Sequence, residues 1–160
     1  RKGVYRIRNH LIAFYFRYVY PHLSRLAEME PEDFYETYIA PDFRRFVSGS
    51  FVEVCREYMG YLNEGKQLPF VYTRMGEWAG KIGDIDIAAQ DEEGHTIIGL
   101  CSWEKPVMPY EDYEWMLFCA RKARLAAEEI YLFAAEGFDR MLMQEAEEKK
   151  NLHLIDLHSF

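Results

Sequence analysis

Apolar and polar positions change their period several times along this chain, and each change marks an element. The middle is the clearest part. Tyr72 to Lys105 (YTRMGEWAGKIGDIDIAAQDEEGHTIIGLCSWEK) reads as three short strands joined by two turns. Ahead of it, Phe43, Phe46, Val47, Phe51, Val54, Cys55, Tyr58 and Leu62 recur close to a 3.6 period. That spacing predicts one long helix from Pro41 to about Glu64, with Gly65 as its C-terminal stop. After the strands, Pro106 and Pro109 mark a loop, and a helix is expected from Tyr110 to about Ala126. Ile130 to Ala134 (IYLFA) has the look of a buried strand, Phe138 to Lys150 of a helix, and Leu152 to Leu157 (LHLIDL) of a last strand.

The opening third is harder to place. Gly3 to Arg8 (GVYRIR) alternates apolar and basic residues, which suggests a strand. Asn9 is a natural N-cap for a helix over His10 to Tyr20, limited by Pro21. Phe14, Tyr15, Phe16, Tyr18 and Tyr20 make that helix aromatic nearly all round, so burial is expected. Glu30-Pro31-Glu32-Asp33 starts another helix, with acids near the positive end of its dipole. The order α-β-β-β-α-β-α-β behind a helical segment implies an α/β (α+β) fold with a mixed sheet flanked by helices. The division expected is 1–40 for the N-terminal strand and helices and 41–160 for the sheet domain.

Composition narrows the reading. A chain of 160 residues with 49% hydrophobic and 16% aromatic content is long and apolar enough to fold around a core. Lys plus Arg is 19 and Asp plus Glu 27, a net charge of −8, which works against non-specific phosphate binding unless cations cluster locally. Cys55, Cys101 and Cys119 are odd in number, far apart and set in apolar runs, the pattern of reduced, buried thiols in a cytoplasmic protein. No apolar run reaches the ~20 residues a spanning helix needs, so no membrane partner is expected. The chain starts at Arg1 without a Met, which is read as a piece of a longer protein.

The candidate chemistry lies on the strands. A helix Glu, an Asp on the second strand, and an acid and a lysine two residues apart on the third can together hold a divalent cation. Hard Mg²⁺ takes oxygen ligands, and strand positions i and i+2 share a face. The ion would activate water, and the lysine would position it. Here Glu53 stands on the long helix, Asp84 and Asp86 on the second strand, and Leu100, Ser102 and Glu104 on one face of the third. Gly76 to Ile82 superficially resembles a phosphate loop, but it has three residues between its glycines and Ile82 where Mg²⁺ needs a hydroxyl. The five histidines have no metal-ligand spacing with Cys or Glu.

Motif by motif, the chain resembles the C-terminal domain of unknown function of prokaryotic, archaeal-type AAA/P-loop ATPases. The matching pieces are YRIRN with FYFRYVYP, GSFVEVCREYM, GEWAGKIGDIDIAA, GLCSW, IYLFAAEGF and LHLIDL. The resemblance implies a PD-(D/E)XK, restriction-endonuclease-like fold. It also implies an ATPase module and a winged helix upstream in the same chain, with GVYRIR at the junction. By resemblance Glu53 matches the helix glutamate and Asp86 the strand aspartate, with Asp84 where an acid is common. The third strand of that family reads Gly-Glu-Cys-Lys-Trp; here it reads Gly99-Leu100-Cys101-Ser102-Trp103. Leucine has no lone pair for a cation and serine carries no charge.

The expectation is therefore a non-catalytic nuclease-fold module that binds DNA or protein, with no cofactor of its own and Glu53 and Asp86 as remnants of a metal site. Two alternatives stay open. One is a metal-dependent nuclease with a rearranged site, in which Glu104 or Lys81 replaces what is lost and Mg²⁺ is the cofactor. The other is an oligomerisation module that forms a homo-oligomer and has no nucleic-acid role.

Overall fold

The computed structural model describes residues 7, 9–105 and 107–159. They form two compact units, Arg1–Ser50 and Phe51–Phe160. The strand expected at GVYRIR lies outside the described residues, apart from the exposed Ile7.

The first unit is helical. α1 (His10–Phe14) runs through a π-turn at Tyr15–Val19 and a 3₁₀ turn at Tyr20–His22 into α2 (Leu23–Leu26). Asn9 caps it as expected, its side chain accepting the Ile12 N–H at 3.0 Å. Pro21 does not end the run: the narrower 3₁₀ turn absorbs it at an early position, where the missing N–H leaves little unsatisfied. A second run starts at α3 (Pro31–Phe34) and passes through a π-turn at Tyr35–Ile39 into α4 (Ala40–Glu64). Tyr18, Phe34 and Ile39 form a small core with Phe14, Phe43 and Phe46 packed against it. Arg17 and the Tyr18 hydroxyl both donate to the Asp42 carboxylate, at 2.7 and 2.8 Å. Burial and that bond push Tyr18 up to about 12. The expectation of a buried aromatic helix holds only for this inner face. Tyr15, Phe16 and Tyr20 stand outside with Leu11, and Tyr20 is 57% exposed.

The second unit is built on a five-stranded sheet in the order β1-β2-β3-β4-β5: β1 (Arg74–Ala79), β2 (Asp84–Gln90), β3 (Thr96–Ser102), β4 (Glu129–Ala134) and β5 (Leu152–Asp156). The first three form an antiparallel meander, and β3, β4 and β5 are parallel. Helices α5 (Tyr110–Ala123) and α6 (Arg140–Glu148) make the two crossovers that parallel neighbours require. This is the mixed α/β arrangement the element order implied. The sheet separates two cores. Phe51, Cys55 and Met59 of α4 pack with Ile87, Ile97, Tyr131 and Phe133. Tyr113, Met116 and Cys119 of α5 and Leu142 of α6 pack with Ile85, Ile98, Ile130 and Leu132. The turn after α4 is made by Lys66, with φ 52°, and not by Gly65. Among the described residues no helix is long and apolar enough to cross a membrane.

Candidate functional site

β2 delivers Asp86, and it does so through an irregularity. Its ladder with β3 runs from Gln90↔Thr96 to Ile87↔Gly99. Strict alternation would put Ile85 and Ile87 on one face. Instead Ile85 joins the α5 side of the sheet and Ile87 the α4 side. β2 therefore turns over at Asp86. Where the ladder stops, the Asp86 carboxylate accepts the Cys101 N–H at 2.8 Å, a side chain standing in for a strand carbonyl.

α4 delivers the cation. Arg56, one turn after Glu53, donates to the Asp86 carbonyl from Nε at 3.0 Å and from Nη2 at 2.6 Å. Nη2 also reaches Glu77 of β1 at 3.3 Å. Lys81, the replacement cation the sequence suggests, is exposed in the turn between β1 and β2. Arg56 was missed although it sits inside the GSFVEVCREYM stretch. Its position on α4, one turn past Glu53, was the available signal.

Burial raises the Asp86 pKa above the ordinary carboxylate value; the Cys101 N–H and Arg56 oppose the shift, while Asp84 and Glu77 add to it. A raised folded-state pKa means that ionisation works against the fold. The favourable term is whole below the ordinary carboxylate range and is lost as pH rises through the folded value. Asp86→Asn keeps an oxygen for the Cys101 N–H but cannot ionise. The variant should therefore gain stability over the parent at neutral pH, and the gain should shrink under acid conditions, as urea unfolding at both pH values would show. A variant weaker than the parent at neutral pH alone would mean that the charged form is the favoured one.

The other residues are placed as follows. Glu53 is exposed on α4. Asp84 is exposed and accepts the Gly80 N–H at 3.2 Å, closing the β1–β2 turn. Leu100 packs into the core on the α5 side, and Cys101 faces the α4 side, as alternation required. The hydrogen bond with Cys55 and burial push the Cys101 thiol well above its usual range, so it stays protonated. Ser102 closes β3, its carbonyl accepting the Ala135 N–H at 3.1 Å. Glu104 was expected on the strand face of Leu100 and Ser102, but β3 ends at Ser102 and Glu104 is exposed in the bend beyond it. Lys105 pairs with Asp112 at 2.6 Å.

Among the described residues, Asp91, Glu93 and His95 are the three whose ligand atoms all lie within 4.8 Å of one another; Glu53, Asp84 and Asp86 form no such triplet. Turn chemistry accounts for the Asp91 group. One Asp91 oxygen accepts the N–H groups of Glu93, Gly94 and His95, and the other bonds His95 Nδ1 at 2.6 Å. That bond raises the His95 pKa.

An uncharacterized protein of Methanocaldococcus jannaschii is 32% identical over 107 residues. The match covers 65% of this chain and 23% of the archaeal protein, so the chain spans under a quarter of that relative. No solved structure matches the chain. A family match covers residues 15–116, from the π-turn after α1 through α2, α3, α4 and the meander to the first half of α5: the chain belongs to the DUF234 family, described as archaea bacterial proteins of unknown function.

Proposed function

We propose that this domain is a non-catalytic, nuclease-fold binding and assembly module, restriction-endonuclease-like in its core, carried by a cytoplasmic P-loop ATPase with a winged helix. Its partners are its own ATPase part and DNA that the winged helix presents. The observation that carries this reading is the state of β2 and β3. The position that should offer a metal-ligand acid is Leu100, packed in the core, and the position that should offer a lysine is Ser102. The surviving Asp86 is already engaged by the Cys101 N–H, with Arg56 on its carbonyl. The charge of Arg56, which already acts on the Asp86 carboxylate, competes with a divalent cation for the same negative field. The rearranged-nuclease reading is weakened by Glu104, which lies past the end of β3. The link to a larger ATPase rests on the motif resemblance and on the length of the archaeal relative, of which this stretch matches 23%.

The test is a supercoiled-plasmid nicking assay with Mg²⁺ or Mn²⁺. No cleavage above a metal-free control is expected. Cleavage that disappears in Asp86→Ala would overturn the reading.

A further inference from the structure

α5 carries a surface that its packing role does not use. Tyr113, Met116, Cys119 and Ala120 face the core, yet Trp115 and Phe118 remain 52% and 37% exposed. Their rings stack on each other, centroids 5.5 Å apart at 27°. One turn on, Lys122 Nζ lies 5.4 Å from the Phe118 centroid. Arg121, Lys122 and Arg124 are all exposed at this end, while the acids Glu111 and Asp112 stand in the first turn and Glu114 directly precedes Trp115. The negative pole of the helix favours cations at its C-terminus. It does not explain two large rings left in water beside them. Arg124 stands at φ 58°, a backbone region where glycine is the easy residue, so a charged side chain is present there against the local preference.

The strip has a direction. At one end the Trp115 indole lies against the β1–β2 turn, where a Cβ added to Gly83 would meet its Nε1 at 3.0 Å. At the other end, Leu125 lines an open groove of about 420 Å³ over β1 and β2. Gly76 and Ala88, paired across the two strands, line the groove with Trp78 and Arg74 beside them. The one carboxylate in the lining, Glu77, is held by Arg56. The volume lies in the range of small-molecule pockets.

The geometry points to a docking strip for single-stranded nucleic acid: an unpaired base stacks on the Trp115–Phe118 pair, phosphates lie against Arg121, Lys122 and Arg124, and the groove over β1–β2 takes another base further along the strand. Flat rings beside clustered cations are what an unpaired strand uses, because every base has a π-face and every linkage a phosphate. A duplex hides its base faces in the stack, and an acidic peptide has no use for the rings. The overall charge of −8 keeps affinity modest and sensitive to salt. This inference deepens the binding-module reading and rests on it.

The test is fluorescence anisotropy of the protein with fluorescein-labelled oligo(dT) of about 16 nucleotides, the upper range for one small domain. A duplex of equal length and a labelled poly-glutamate peptide run beside it. The single strand should bind best. The double variant Trp115→Ala/Phe118→Ala, checked for folding by circular dichroism, should bind at least about tenfold more weakly. Arg121→Ser/Lys122→Ser/Arg124→Gly should flatten the dependence of log affinity on log salt; its glycine suits the backbone at that position. Unchanged affinity without the rings, equal binding of the duplex, or binding of the peptide in place of the oligonucleotide overturns the inference. Metal-dependent nicking would sink the module reading and leave this titration readable. Loss of oligonucleotide binding with nicking still absent would sink the strip alone.

Discussion

Phe133→Ala is expected to destabilise the protein by about 3–5 kcal/mol. Phe133 is fully buried near the end of β4, which lies inside the sheet between β3 and β5. Its ring meets Tyr58 edge-on at 6.2 Å and shares a core with Phe51, Met59 and Ile87. Truncation removes the transfer energy of the ring and leaves a cavity that sheet and helix cannot both move to fill. Domains of this size have only about 5–15 kcal/mol of net stability, so the variant would sit near the edge of folding. Urea titration followed by circular dichroism reads the loss. Phe133→Leu, which keeps most of the volume, should lose far less, and a Phe133→Ala midpoint equal to the parent's would contradict the burial of this ring between sheet and α4.

Gly99→Ala is the second large effect, at about 3 kcal/mol, the upper part of the range for overpacking a core. Gly99 lies in the row Ile87↔Gly99↔Tyr131 at the middle of the sheet. A Cβ there would stand 2.8 Å from the Tyr131 carbonyl oxygen and 3.2 Å from the Ile87 Cβ. The nearer neighbour is backbone inside a parallel ladder, which cannot turn aside as a side chain can. Gly76→Ala provides the contrast, because nothing lies within 4 Å of an added Cβ there. It should change stability by no more than about 0.5 kcal/mol. Equal midpoints for the two variants would mean that β3 and β4 are further apart than the structure places them.

Much of the architecture could be read from the sequence, because it depends on periodicity. The three central strands, the closing β4-α6-β5 unit and the long helix are marked by apolar runs with glycine or proline at their borders. What could not be read depends on which neighbour covers which face. Five aromatics within seven residues predicted a buried helix, but the first unit offers partners to only one side of it, so Tyr15, Phe16 and Tyr20 remain outside. Placing Glu104 on a strand assumed that β3 continues, and its pairing with β4 stops at Ser102. Asp86 was read onto the right strand. Its bond to the Cys101 N–H was not legible, because it arises where β2 turns over and alternation no longer predicts the face. Arg56 was hidden for a related reason: the reach of a helix arginine to a strand carbonyl has no period.

The division of the sheet into an antiparallel meander and a parallel half also orders its assembly in time. β1, β2 and β3 meet across short connections at residues 80–83 and 91–95. β4 and β5 are reached only through the long connections that contain α5 and α6. Closing a short loop gives up little chain entropy before its hydrogen bonds form, and a helical crossover gives up more. The meander is thus expected to pair first, with the β3 edge open until β4 closes on it.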